Sequence, residues 1–365
     1  MIAVIGGGVM GASIAYHLAL KGARQVVLLE RGTLCCGETA KSGGFIQTHW
    51  TSLAETRLID FSRTIFQQWG ERCGWVNSGY LHVTGPEKLD SVRAVHDMLL
   101  SDGKESHWLD QRGIKTLQPL MRVDDLVGAA YEPHSGWADP VATTRLLATL
   151  AREQGAELRE GVTVLQIVHR HGKIMGVETD QGFLEAEKVV LAAGPWTPGL
   201  HPDPRVRLPV LARRGQVTYM TRPGGLPRRE LACYDEITGL YTHCDGDTNL
   251  VGIDWDFDPV YHPDSYDREL DADYLAAALE ALTHRFPSLR SSQLVRGVVG
   301  LYDFTPDGHP VVDGPLGIEG YYVAAGFSGA GFKSAPALGL GMAELVLEGR
   351  ASSVDLDFLR LARFG

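Results

Sequence analysis

The chain has 365 residues, 44% of them hydrophobic and 22% charged, a balance ordinary for a globular protein and a length sufficient for two cores. A formal net charge of −11 opposes nucleic acid or an anionic membrane as main partner, and no run of about 18 apolar residues reads as a membrane span. Cysteines at 35, 36, 73, 233 and 244 match no zinc or CxxC spacing; with no signal-peptide pattern at the start, they predict reduced thiols, no metal site and a cytoplasmic setting.

Residues 2–30 read "IAVIGGGVMGASIAYHLALKGARQVVLLE". A short apolar strand, Ile2 to Ile5, leads into Gly6-Gly7-Gly8-Val9-Met10-Gly11. A helix with Ile14 and Leu18 on one face follows, stops at Gly22, and gives way to a second strand that ends at Glu30. Each part has a task in dinucleotide binding. Gly6 permits the tight turn, Gly8 lets the backbone approach a pyrophosphate, Gly11 lets helix and strand pack closely, and Glu30 accepts ribose hydroxyls. NAD, NADP and FAD all fit. The acid at the end of the second strand disfavours a 2′-phosphate, and Arg31 beside it is the one hint of NADP.

Further along, "GYLHVT" (79–84) predicts a strand and 86–100 a helix. "GWADP" (136–140) turns into a helix over about 141–154, ended by Gly155. Residues 157–193 predict strand, hairpin and strand, with turns at His171-Gly172-Lys173 and Asp180-Gln181-Gly182. From about 208 to 300 the pattern is β-rich around one amphipathic helix near 272–285. The chain then returns to βα character: "YYVAAG" as a strand, the loop "AGFSGAGFK" (325–333), and a helix from about 334 to 348. Lys333 in that loop is the only lysine in 189–365. A glycine-rich loop opening a helix holds something negative, and a cation at a helix start is unfavourable unless it has a task.

Together "VIGGGVMGASIAYHLA", "SGWADP", "KVVLAAGPWT", "GLYDFTPDGHPVV" and "VAAGFSGAGFKSAPALG" resemble the D-amino-acid oxidase and sarcosine oxidase family of FAD-dependent oxidoreductases over nearly the whole chain. The resemblance implies an α/β fold in which a Rossmann-type FAD-binding domain (1–78, 141–207 and 301–365) interleaves with an α+β substrate domain built on an antiparallel sheet (79–140 and 208–300). It implies a cofactor site along Gly6, Gly8, Val9, Met10, Gly11, Glu30, Arg31, Lys41, Ser42, Gly43, Gly44, the backbone of Val164, Gly194, Trp196, Gly300 and Tyr302. The second loop, Gly329, Ala330, Gly331, Phe332 and Lys333, would meet the flavin pyrimidine end, with Gly329 and Gly331 letting the ring pass close to the backbone. The implied activity is oxidation of a small amine or amino acid by hydride transfer to flavin N5, giving an imine that hydrolyses. Lys333 would pair with a substrate carboxylate.

The chain also departs from that family. Gly300 and Lys41 stand where some relatives attach FAD through cysteine or histidine, which predicts non-covalent FAD. Gln47 replaces an arginine expected in patterns like SGGxxR; an amide supplies hydrogen bonds but no charge. His49 and Trp50 follow it, either in the pocket or as packing. Tyr241 is a pocket candidate. Leu250 aligns with a strand lysine that sarcosine oxidases use toward O2, and Asp254 with a histidine; if Asp254 faces the site it can orient or deprotonate the amine. Two alternatives stay open: a 2-hydroxy acid dehydrogenase with His49 or His243 as base, and a non-catalytic FAD-binding subunit. Expected partners are the small substrate and an electron-acceptor protein or partner subunit.

Overall fold

The computed structural model describes every residue, Met1–Gly365. Its first strand, Ile2–Ile5, is four apolar residues, all buried, and lies parallel between Val26–Glu30 and Lys188–Leu191. Continuous apolar strands of this kind need cover on both faces. A six-stranded sheet results, ordered Val311–Asp313, Tyr321–Ala325, Lys188–Leu191, Ile2–Ile5, Val26–Glu30, Glu157–Glu160. Side-chain alternation sorts the cover. Ile2, Val4, Val26 and Leu28 join a core with helices Val9–Leu20, Pro140–Glu153 and Gly331–Glu348. Ala3, Ile5, Val27 and Leu29 join a second core beneath the antiparallel meander Val164–Arg170, Lys173–Thr179 and Gly182–Glu185.

The helices that carry the two glycine-rich loops cross each other. Small residues on Val9–Leu20 allow this: a Cβ on Gly339 would lie 2.1 Å from Ser13 Oγ, and that hydroxyl donates to Ala335 O at 2.8 Å. Loops about three hundred residues apart are thereby fixed to one another.

A larger sheet of nine strands includes Leu211–Thr221, Thr248–Ile253, Leu240–Asp245, Ala232–Asp235, Tyr80–Thr84 and Gly128–Glu132. It is antiparallel except where Ala232–Asp235 runs parallel to Tyr80–Thr84. Helix Ala272–Arg285 closes its back over a third core. The front faces the smaller sheet's loops.

Predicted elements recur with shifted ends. The helix expected from 334 begins at Gly331, and 86–100 divides into a 3-10 turn Pro86–Lys88 and a helix Leu89–Ser101. The hairpin at His171-Gly172 has both residues at positive φ, 52° and 75°, the geometry that matches strand twist. Strand Leu294–Phe304 pairs with Leu211–Thr221 as far as Phe304, so the larger sheet runs past position 300, where the expected boundary fell. Helix Leu53–Trp69 was not anticipated. Ser52 caps it by accepting from Glu55 N at 3.4 Å. No helix is long and apolar enough to cross a membrane.

Candidate active site

The first loop has the form a dinucleotide requires. Gly6 sits at φ +110°, and a Cβ there would lie 2.4 Å from Ala192 O; one on Gly11 would lie 1.9 Å from Gly6 O. Turn and close packing therefore both depend on glycine. Gly8 keeps its space facing Thr39 Oγ1, which accepts from Val9 N at 3.1 Å. The first-turn amides of Met10 and Gly11 have no intrahelical acceptor, and no acidic side chain stands in that turn, so the helix start suits an anion. Glu30 is held at its strand end by Gly7 N at 2.7 Å and Gly32 N at 2.8 Å. Val162 N donates to Glu30 O at 2.9 Å, bringing the Val164 strand alongside. Gly194, at φ +52°, has open space beyond its α carbon. These features fit the nucleotide half of FAD. Arg31 is committed elsewhere: it pairs with Asp264 at 2.9 Å and lies 4.3 Å over Trp196, whose Nε1 donates to the same carboxylate.

At the second loop, Asp303 accepts from Gly326 N at 2.7 Å through its side chain and from Ser328 N at 2.9 Å through its carbonyl. Burial raises its carboxyl to about 6, against the amides that favour its charge. Gly329 takes φ +90° with free space, its nearest neighbour being Tyr302 at 3.7 Å. Gly331 has a reason within the loop itself. A Cβ there would lie 2.9 Å from Phe327 Cβ, so loop packing by itself already requires glycine. Ala330 leaves helix Gly331–Glu348 without a side-chain cap, and Phe332 packs on Phe66 at 5.3 Å.

Gly44, at φ +69°, is likewise dictated by backbone: a Cβ would lie 2.1 Å from Ala138 O. Ser42 Oγ accepts from Gly44 N at 3.2 Å. Lys41 Nζ donates to Glu38 at 2.9 Å and to Tyr266 OH at 2.8 Å. A Cβ on Gly300 would lie 2.7 Å from Glu38 Oε2 and 2.8 Å from Lys41 Cδ. The two attachment positions named by the resemblance thus meet at one spot, and neither bears a thiol or imidazole.

The front of the larger sheet supplies the opposite wall. His243 Nε2 lies 3.0 Å from Gly43 O, and its ring stacks on Trp137 at 4.3 Å. Burial lowers its pKa to about 4, so the neutral ring donates to the carbonyl. That engagement removes His243 as the free base considered for a hydroxy acid. Leu250, Gly252 and Asp254 share one face by the two-residue period, and Leu250 Cδ1 lies toward Gly43. Asp254 is therefore on the site side. Its carboxylate accepts from Tyr234 OH; although the residue opens to solvent, surrounding protein raises its pKa, the Tyr234 bond opposing. Tyr241 lies across Gly252, where a Cβ would collide with the ring at 2.0 Å, and burial holds its hydroxyl well above the usual range.

Between these walls His49 stacks on His82 at 4.1 Å, and His82 on Tyr234 at 4.9 Å. Burial first, then His82 and His96, hold His49 well below its usual pKa. His82 Nε2 meets Glu236 Oε1 at 2.7 Å. Lys333 is 6% exposed, with its ammonium 4.5 Å over the Trp50 ring. Burial lowers it to about 8 against the charges of Glu55 and Glu132. No three His, Cys, Asp or Glu side chains group as a metal site.

Glu55, Glu132, His82 and Tyr234 were missed by sequence reasoning. Glu132 was legible only as a neighbour of the "GWADP" turn. Glu55 follows Ser52 at capping-box spacing, yet its carboxylate turns to Trp50 Nε1 at 2.5 Å and His309 Nδ1 at 2.9 Å.

The sequence model of the family described as FAD dependent oxidoreductase matches residues 1–345. Human mitochondrial sarcosine dehydrogenase is 30% identical over 100% of this chain and 41% of its own length. The mouse mitochondrial pyruvate dehydrogenase phosphatase regulatory subunit is 28% identical over 100% of this chain and 43% of its own. The chain thus spans about two-fifths of these curated relatives. Among solved structures, L-proline dehydrogenase from P. horikoshii superposes with a TM-score of 0.93 at 26% identity, covering 100% of this chain and 97% of that one.

Proposed function

We propose that this chain, which belongs to the FAD-dependent oxidoreductase family, holds FAD non-covalently and oxidises a small amine or amino acid at the carbon next to nitrogen. The observation that carries the reading is the meeting of the second glycine-rich loop, at Gly329 and Tyr302, and the Gly43 segment, at His243, on one polar, aromatic sheet face, with the first loop's helix packed on the second's. Similarity to a sarcosine dehydrogenase and an L-proline dehydrogenase supports an amine as donor.

Bound FAD supplies the acceptor for a hydride. The chain's own residues do the rest. The Val9–Leu20 helix start and Glu30 hold the nucleotide half, with Gly194 leaving room beside it. The Gly331–Glu348 helix start, which has no side-chain cap, would offer its positive end to negative charge developing on the cofactor. Asp254 takes the proton from the amine nitrogen, since a protonated nitrogen has no lone pair to drive loss of hydride; its raised pKa suits that task. Tyr241, Tyr302 and His49 shape the space between. No covalent nucleophile is required. On this reading the FAD-binding and substrate domains divide the chain as the resemblance implies, and the pairing of Leu211 with Phe304 supports a last crossing after Phe304 rather than at 300.

A second reading is a non-catalytic FAD-binding subunit, favoured by the match to a regulatory subunit and by Gln47 in place of arginine. Anaerobic screening of secondary amines, D-amino acids and 2-hydroxy acids separates the readings. Bleaching of the flavin by secondary amines or amino acids and not by hydroxy acids is the expected result; bleaching by hydroxy acids, or by nothing, overturns it.

A further inference from the structure

We infer that the pocket selects a cationic amine that carries no carboxylate. The inference rests on the amine reading above and narrows it. Four acids stand along this wall. Glu55 and Glu132 act by charge on Lys333, whose ammonium lies over the Trp50 ring. Glu236 and Asp254 are less buried and are held by His82 and Tyr234. They are joined in one run, since His49 stacks on His82 and His82 on Tyr234. Against them stand Lys333, beside Glu55 and Glu132, and Lys88, which acts by charge on Glu236.

Among the buried atoms at this site without a partner, acceptors outnumber the one fixed donor, Trp137 Nε1. Glu55 Oε1, Glu132 Oε1 and Gln47 Oε1 are buried without a hydrogen-bond partner, in residues 3%, 2% and 8% exposed. Glu132 directs its three donors, Thr48 N, Thr48 Oγ1 and Ser135 Oγ, to the other oxygen. Buried polar atoms without partners are costly, and an excess of bare acceptors is relieved by a ligand that brings N–H donors and positive charge. A carboxylate adds acceptors and negative charge. Lys333 does not reverse this balance, because two carboxylates already oppose its single charge. Aromatic faces at Tyr234 and Tyr241 suit an alkylammonium.

The test compares two non-oxidisable probes of similar bulk on the FAD-loaded protein: tetramethylammonium and pivalate. Binding is read by perturbation of flavin absorption and by calorimetry. Expected is tetramethylammonium binding at least about tenfold tighter at pH 7, with Asp254→Asn weakening it about threefold or more and Gln47→Arg shifting preference toward pivalate. Equal affinity, tighter pivalate, or binding of neither probe overturns the inference. The amine reading fails separately. If amines do not bleach the flavin while tetramethylammonium keeps its preference, the cation site stands and the reaction does not; if amines bleach it while pivalate binds tighter, the reverse holds.

Discussion

Lys333 shows how one side chain's neighbours change its meaning. At a helix start and alone among its stretch of sequence, it reads as a free cation awaiting an acid. In the folded chain burial has lowered its pKa to about 8, with Glu55 and Glu132 opposing that shift. Glu55 in turn faces His309 and Trp50. The sign of the pH effect follows. Below about 8 Lys333 is charged and above it neutral, so raising pH from 7 to 9 should strengthen a cationic probe and weaken a carboxylate probe. The change is roughly threefold to thirtyfold for one charge a few ångströms away at intermediate dielectric. Titrating both probes across that range checks it, and parallel trends would contradict it. Gly11 is the other residue whose effect is predictable from one contact. Gly11→Ala places a Cβ 1.9 Å from Gly6 O, so the loop must open. The variant should fold but retain FAD at least about a hundredfold more weakly, read as flavin content per chain.

Helix Ala272–Arg285 shows how an element packed on the far face of a sheet helps to fix the site. Its last residue, Arg285, is fully buried and donates to Asp235 at 2.9 Å and to Asp125 and Arg122 O at 2.8 and 2.7 Å. The helix is thereby locked to the back of the larger sheet, which leaves the front for Tyr241, His243 and Asp254. Asp235 also accepts from Ile237 N and Thr238 Oγ1 at the turn that leads into the Tyr241 strand. Asp235→Ala removes its bonds to Arg285, Ile237 N and Thr238 Oγ1 at once and leaves the buried guanidinium with Asp125 and Arg122 O alone. A loss of about 3–5 kcal/mol is expected, measured as a lower urea midpoint. A change under about 1 kcal/mol would mean that Asp125 alone satisfies the guanidinium.

Across the whole molecule, the two halves meet where the cofactor is proposed to lie, and that meeting governs attachment and reoxidation. Lys41 from one half and Gly300 from the other come together with Glu38 between them. With no thiol or imidazole at either position, acid precipitation should give a colourless pellet and a yellow supernatant; a yellow pellet would refute non-covalent FAD. On the facing strand Leu250 is 1% exposed and lies against Gly43. An apolar residue there offers nothing to stabilise superoxide as it forms. Substrate-reduced protein mixed with air-saturated buffer should therefore reoxidise slowly, and Leu250→Lys should accelerate it. Reoxidation faster than flavin reduction in the parent chain would remove the argument.

Local pattern alone determined the first βαβ unit, because its tasks depend on residues within thirty positions and on glycine where no side chain fits. The same holds for the hairpin at His171-Gly172, and for the second loop with its helix, whose start was misjudged by only three residues. The resemblance extended this to the family and to FAD. Sequence spacing could not decide which side Asp254 faces, since a slip of one residue along a strand exchanges the faces; the pairing of Tyr241 with Gly252 and His243 with Leu250 resolved it. Nor could it show that Gly44 and Gly331 are required by their own neighbours, Ala138 and Phe327. The balance of charge in the pocket was the least legible feature. Glu55, Glu132, Glu236 and Lys333 come from four distant segments, and an electrostatic field depends on distances through space that only the packed chain brings about.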